Sequence, residues 1–339
     1  MKKILYIGNK LGTKGYSPTT IDILGGYLEA EHYTVYYASD KRNKLLRLLH
    51  MASSFFKYKS KVDVVLIDTY STQNFYYAVI IGYLSSIYSI PYIPILHGGN
   101  LENRLKSNKK VCLNYFKKAH TLISPSLYLI DVFKKYGYHH LVHIPNTINI
   151  NDYTFNTRVF HEPHLLWVRS FARVYQPTMA IEVYKQIKES YPKATLTMVG
   201  PDKDGSLQGA KQLAAQYQLK VNFAGKLSKE AWILLSKKCT IFLNTTTTDN
   251  MPVSVIEAMA LGLPVVSTNV GGIPYLISHE KTGVLVEKGN VEAMAREIKR
   301  LLNNGDWAQK IAYNAREMVA LYDWEVVKKS WRNVLDHVS

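Results

Sequence analysis

Two carboxylates, Asp249 and Glu257, flank a proline and a short apolar run near the C-terminal third of this 339-residue chain. Pro252 suits the first turn of a helix, because its missing amide would have no intrahelical partner there. The amides of Val253 and Ser254 would then point out of the helix start, where donors and the helix dipole favour a diphosphate. Glu257, one turn further on, could accept both hydroxyls of a ribose. Gly271-Gly272 offers a second close backbone approach. Elsewhere, His97-Gly98-Gly99-Asn100 follows an apolar run, and the carboxyl end of a parallel strand is where a reacting group should sit. Gly200 ends another such run and would let backbone approach a ligand. A strand-end glycine can equally be just a turn. No His, Asp or Cys cluster has metal-ligand spacing, and no Ser-His-Asp set can be placed.

Positioning these groups requires alternating strands and helices. Apolar runs at Lys3–Ile7, Thr34–Ala38, Val62–Asp68, Pro91–Leu96, Thr121–Ser124 and Leu141–Ile144 predict parallel strands covered on both faces. A polar stretch, 146–163, reads as a linker. A second series follows at Leu165–Val168, Thr195–Val199, Val221–Ala224, Thr240–Leu243, Pro264–Ser267 and Gly283–Val286. The chain then ends in helices over Val291–Asn303, Trp307–Leu321 and Trp324–His337. The expected class is α/β with two domains, 1–155 and 156–322, and a terminal helix from 323 to 339.

Composition bounds the partners. Residues 1–155 hold 19 Lys/Arg against 9 Asp/Glu, and the whole chain carries a net charge of +16. An anionic partner is implied: a membrane surface, a phosphorylated substrate or nucleic acid. Cys112 and Cys239 form neither a metal motif nor a disulfide framework, as expected in a reducing compartment. The N-terminus lacks the features of a signal peptide. The charge-free stretch from Thr69 to Leu96 is broken by Pro91 and Pro94, and predicts a buried helix over Asn74–Ile87 and a buried strand rather than a membrane span. Between Asp40 and Asp63 lie seven cations (Lys41, Arg42, Lys44, Arg47, Lys57, Lys59, Lys61) interleaved with leucines and Phe55-Phe56. This segment is either a basic amphipathic helix lying on an anionic bilayer or a solvated helix whose leucines face the core. A second basic region, Arg104 to Lys118, lies in the same half.

The run from Asp249 through Glu257, Ala258-Met259-Ala260, Gly262, Pro264-Val265-Val266 and Gly271-Gly272 resembles the retaining GT-B glycosyltransferases of family 4 (group 1 type), with Asp249 where their first Glu usually stands. The resemblance implies the GT-B fold, two Rossmann-like domains with parallel sheets facing across a cleft, and a terminal helix packing back across them. It implies that Arg169 and Arg173 clamp the diphosphate of a nucleotide-sugar donor. In the same picture Gly200, Lys226 and Leu227 lie by the donor, Pro252, Val253, Ser254 and Glu257 bind it, and Asp249 contacts the sugar. Gly12, Gly15, His97 and Asn100 are implied on the acceptor side, with His97, Asp249 and Arg169 as the catalytic set. The implied reaction moves a sugar from a UDP- or GDP-sugar to a glycan or lipid-linked acceptor, without metal or cofactor, at the cytoplasmic face of the plasma membrane. Three rivals stay open: a nucleotide-sugar-binding protein without turnover, a nucleic-acid-binding protein suggested by charge alone, and another sugar-nucleotide enzyme such as an epimerase.

Overall fold

A computed structural model of the chain describes residues 2–12 and 18–338. It divides into two compact units, Met1–Thr147 with Trp324–Ser339, and Ile148–Asp323.

The first unit alternates β1 (Lys3–Ile7), α1 (Thr20–Ala30), β2 (Thr34–Ala38), α2 (Lys44–Tyr58), β3 (Val64–Thr69), α3 (Phe75–Ile87) and β4 (Tyr92–Leu96). Two helices, α4 (Leu101–Ser107) and α5 (Lys109–Lys117), precede β5 (Leu122–Ser124), α6 (Leu127–Lys135) and β6 (Leu141–His143). All six strands are parallel, in the order β2-β1-β3-β4-β5-β6. Every residue of β3 and β4 is buried, which is why 64–67 and 92–96 read as apolar runs, with Asp68 and Thr69 closing β3.

The second unit contains β7 (His164–Val168), α7 (Pro177–Ser190), β8 (Thr195–Val199), α8 (Ser206–Gln216), β9 (Val221–Gly225), α9 (Lys229–Ser236) and β10 (Ile241–Asn244). It continues with α10 (Val253–Ala260), β11 (Val265–Thr268), α11 (Ile273–Leu276), β12 (Val284–Val286), α12 (Val291–Asn303) and α13 (Gly305–Ala320). Its parallel sheet runs β12-β11-β10-β7-β8-β9. The order reverses at β7, so loops after β7 and β10 diverge and leave room for a ligand at their carboxyl ends.

The last helix, α14 (Trp324–Asp336), belongs to the first unit. Its apolar stripe, including Trp324, Val327, Trp331 and Leu335, joins the core around Ile4, Tyr6 and Leu24. Trp324 stacks on Tyr27 of α1 with ring centroids 4.6 Å apart, and Lys328 and Arg332 both pair with Glu31.

Two expectations change. The stretch read as a linker is mostly a strap bound to the second unit. Ile148 and Tyr153 are buried, the Ile150 amide donates to Asp323 at 2.8 Å, and the buried Arg158 guanidinium donates to the carbonyls of Ser236, Cys239 and Leu261. Asn and Asp made the segment look like free loop, yet backbone carbonyls satisfied by arginines hold it down. Arg316 adds bonds to the carbonyls of Tyr153 and Ala260, both at 2.7 Å. The helix over 74–87 is not buried all round. Phe75, Ala78, Ile81 and Ser85 face the core, while Tyr76, Ile80, Tyr83 and Ile87 are exposed. Hydropathy alone cannot tell an apolar face turned inward from one turned outward. Among the described residues, no helix is long and apolar enough to cross a membrane.

Candidate functional site

In the second unit the loops after neighbouring strands bring several predicted residues together. Arg169 follows β7, and its amide donates to Val199 of β8 at 3.0 Å. Its side chain is largely buried and forms an ion pair with Asp249, which follows β10. The guanidinium also lies over the Tyr175 ring, 4.3 Å from its centroid. Burial works against the charge of Arg169, and Tyr175 works in its favour. Asp249 Oδ1 accepts from the adjoining Asn250 amide at 3.0 Å.

Helix α10 starts one residue later than expected, at Val253, with Pro252 as its N-cap in extended backbone. The amides of Val255 and Ile256 both turn back to the Pro252 carbonyl, leaving those of Val253 and Ser254 as the outward donors of the helix start. Ser254 Oγ is buried without a hydrogen-bond partner, as are Arg169 Nε and Gln176 Oε1. Buried polar atoms of this kind call for a ligand or water.

Glu257 projects from the next turn of α10. The Tyr153 hydroxyl donates to Glu257 Oε1 at 2.6 Å. Burial raises the pKa of the carboxyl, while the Tyr153 hydrogen bond and the charge of Lys229 oppose that rise. Lys229 Nζ lies 4.7 Å from the Tyr153 ring centroid. Neither Tyr153 nor Lys229 was among the predicted site residues. Tyr153 sat in a stretch read as linker, where nothing in the sequence marks it as a partner of a residue 104 positions away.

The glycines allow close packing between the loops. Gly200 has φ +148°, and a Cβ there would sit 1.8 Å from the Arg169 carbonyl oxygen. A Cβ on Gly272 would sit 1.8 Å from the Asn250 carbonyl oxygen, and one on Gly271 would sit 2.2 Å from that of Asp249. Gly272 also donates to the Asp249 carbonyl at 2.9 Å. The close approaches are therefore between loops, and they hold the Arg169 and Asp249 backbones in place. Lys226 is exposed and Leu227 half-buried beside the core. Arg173 is exposed, and its amide donates to Asp204 at 2.9 Å, so its backbone is fixed while its side chain is at the surface.

In the first unit, His97 follows β4 and meets a partner the sequence did not single out. His97 Nε2 lies 2.8 Å from Asp68 Oδ1, at the carboxyl end of the neighbouring β3. Asp68 is buried and also accepts from the Tyr6 hydroxyl at 3.1 Å. Burial, then the Asp68 charge, pushes the Tyr6 pKa well above its ordinary value, so the phenol stays a donor. Gly8 lies against Asp68, because a Cβ there would stand 2.4 Å from Asp68 Oδ2. With Nε2 bonded to the carboxylate, Nδ1 is the nitrogen left to exchange a proton. Gly12 donates to Asp22 at 3.3 Å, which also takes the Thr19 amide at 2.9 Å. Asn100 is exposed ahead of α4, and Gly15 lies outside the described residues.

Residues 155–318 match the model for glycosyl transferases group 1. The second unit is a group 1 glycosyltransferase domain.

An uncharacterized glycosyltransferase of Haemophilus influenzae is 28% identical over 158 residues, which cover 46% of this chain and 44% of that protein. The chain thus spans less than half of that relative's length. Among solved structures, sucrose-phosphate synthase from Thermosynechococcus elongatus superposes with a TM-score of 0.85 at 19% identity, covering 100% of this chain and 99% of that one. HepE of Anabaena, solved in complex with UDP, gives 0.78 at 19% identity and covers 99% and 100%. These likenesses show the fold, the GT-B architecture of two parallel α/β units.

Proposed function

We propose that this chain is a retaining glycosyltransferase that moves a sugar from a UDP- or GDP-sugar to a glycan or lipid-linked acceptor in the synthesis of a surface polysaccharide or glycoconjugate. The observation that carries the reading is the convergence on α10: the Arg169–Asp249 pair beside a helix start whose Ser254 hydroxyl is buried without a partner, and Glu257 one turn along. A uridine donor is preferred in this reading because HepE, a fold neighbour, was solved with UDP.

Glu257 takes the ribose hydroxyls. Arg169, joined by Arg173, and the Val253 and Ser254 amides neutralise the diphosphate as it departs, so no added metal is needed. The bond between the anomeric carbon and the diphosphate oxygen breaks, leaving an oxocarbenium-like sugar. The acceptor oxygen bonds to the same face and gives its proton to the leaving phosphate. Asp249 contacts the sugar, and His97, Gly12 and Asn100 serve the acceptor side. The site of action is the cytoplasmic face of the plasma membrane.

Calorimetric titration of UDP- and GDP-sugars into wild type and Glu257→Ala, without metal, tests the donor site. Binding of one donor at micromolar level, lost in the variant, supports it. No binding of any donor by folded wild type overturns it. Donor binding without transfer or hydrolysis would favour the second reading, a nucleotide-sugar-binding protein, which the shorter arm of Asp249 and its engagement with Arg169 motivate.

A further inference from the structure

Helix α2 turns most of its large apolar side chains outward. Leu45, Leu46, Leu49 and Phe56 are exposed, Leu45 by 67%. Their spacing places them within one stripe about 100° wide. The core contacts of the helix come instead from Met51, Ser54 and Phe55, with Arg47 also buried. The reading in which the leucines face the core therefore fails for three of them.

Helix α3 repeats the arrangement. Tyr76, Ile80, Tyr83 and Ile87 follow one another at i, i+4, i+7 and i+11, and all are exposed, Tyr83 by 63%. The two helices adjoin. Lys44 Nζ donates to Gln73 at 2.7 Å, the Tyr77 hydroxyl donates to the Lys44 carbonyl at 3.0 Å, and Phe56 meets Tyr88 edge-on with centroids 5.9 Å apart. Two apolar stripes on neighbouring helices form a surface that water disfavours and that no described residue covers.

Charge selects the occupant. Lys41, Arg42, Lys44, Lys57 and Lys61 are exposed around these helices, and Lys59 sits over the Tyr88 ring at 3.7 Å. No Asp or Glu occurs between Asp40 and Asp63 or between Asp68 and Glu102. A second copy of this face would set cations against cations, which disfavours a symmetric dimer. Tyrosines among the aliphatics, with lysines around them, suit the headgroup boundary of a bilayer, where rings sit half in hydrocarbon and cations meet anionic lipid.

We propose that α2 and α3 together form a platform that seats the first unit on an anionic lipid surface, with the apolar stripes inserted and the cations on headgroups. This deepens the lipid-linked-acceptor reading by naming the surface and adding α3 to it, but it does not require that transfer occur.

The test is co-sedimentation with vesicles of phosphatidylcholine alone and of equimolar phosphatidylcholine and phosphatidylglycerol, with donor binding measured in parallel. Wild type is expected to bind the anionic vesicles at least about tenfold more tightly, and added salt to weaken that binding. Leu49→Ser with Ile87→Ser, and separately Lys57→Glu with Lys61→Glu, are each expected to lower vesicle affinity about tenfold or more while leaving donor binding and the folded spectrum unchanged. Equal binding to both vesicle types, or variants that bind like wild type, would overturn the platform. So would a wild-type dimer that the serine variant dissolves in the absence of vesicle binding, which would make the face a protein interface. Loss of donor binding bears only on the transferase reading, so the two failures are separable.

Discussion

The Tyr153 hydroxyl donates to Glu257 Oε1 across 104 residues of chain, at 2.6 Å. Tyr153 is itself fully buried, so the carboxylate is held by a rigid partner and keeps Oε2 to accept from a ligand. Tyr153→Phe retains the ring and removes the bond. It should weaken donor binding about three- to tenfold, the range of one ordinary hydrogen bond, with little change in fold. Calorimetry with the preferred nucleotide-sugar checks this; an unchanged affinity would mean that Tyr153 only fills space.

Glu257 should trade stability for function. Burial raises its folded pKa above the ordinary value of 4.5, so the native state holds its proton more tightly than the unfolded chain. Stability is then lost as pH rises from about 4.5 through the folded pKa, and the loss persists above it. Glu257→Gln removes that loss. At pH 7 the variant should melt about 2–4 °C above wild type, with the gap closing below pH ~4, while donor binding falls at least about tenfold. Thermal melts across pH decide it, and a variant less stable than wild type at pH 7 would contradict the argument.

Arg169 and Asp249 should be coupled in stability. Removing one leaves the other largely buried without its ion-pair partner. Arg169→Met alone is expected to cost about 3 kcal/mol. Adding Asp249→Asn should recover most of that stability yet restore no donor binding, because the diphosphate still lacks its guanidinium. Urea melts of the two single variants and the double variant measure the coupling, and additive costs would show that the pair is not a unit.

Asp68 is expected to matter through His97. Asp68→Asn keeps the shape but weakens the hold on the imidazole. Turnover should fall about tenfold to a hundredfold with donor affinity unchanged, and a His97→Ala background should be insensitive to the change. Gly8→Ala, whose Cβ would press on Asp68 Oδ2, should act in the same direction and more mildly. A loss confined to donor affinity would place the dyad elsewhere in the reaction.

By itself the sequence determined the strands and the resemblance of the 249–272 run to group 1 glycosyltransferases. Strands buried on both faces must be largely apolar, so central ones such as β3 and β4 could be read from the runs at 64–67 and 92–96. The stretch from Asp249 through Glu257 to Gly272 was legible because helix start, carboxylates and glycines lie close in the chain, where local geometry alone constrains residue type. Tertiary structure decided the partners. Tyr153 for Glu257, Asp68 for His97 and Asp249 for Arg169 come from separate segments, which strand order and the strap around Tyr153 bring together. It also decided which way the apolar stripes of α2 and α3 turn. The core around β3 was already filled by Phe55, Met51, Phe75 and Ile81, so Leu49 and Tyr83 were left facing out. Periodicity shows that a helix has a face; what that face meets depends on the space left by the rest of the fold.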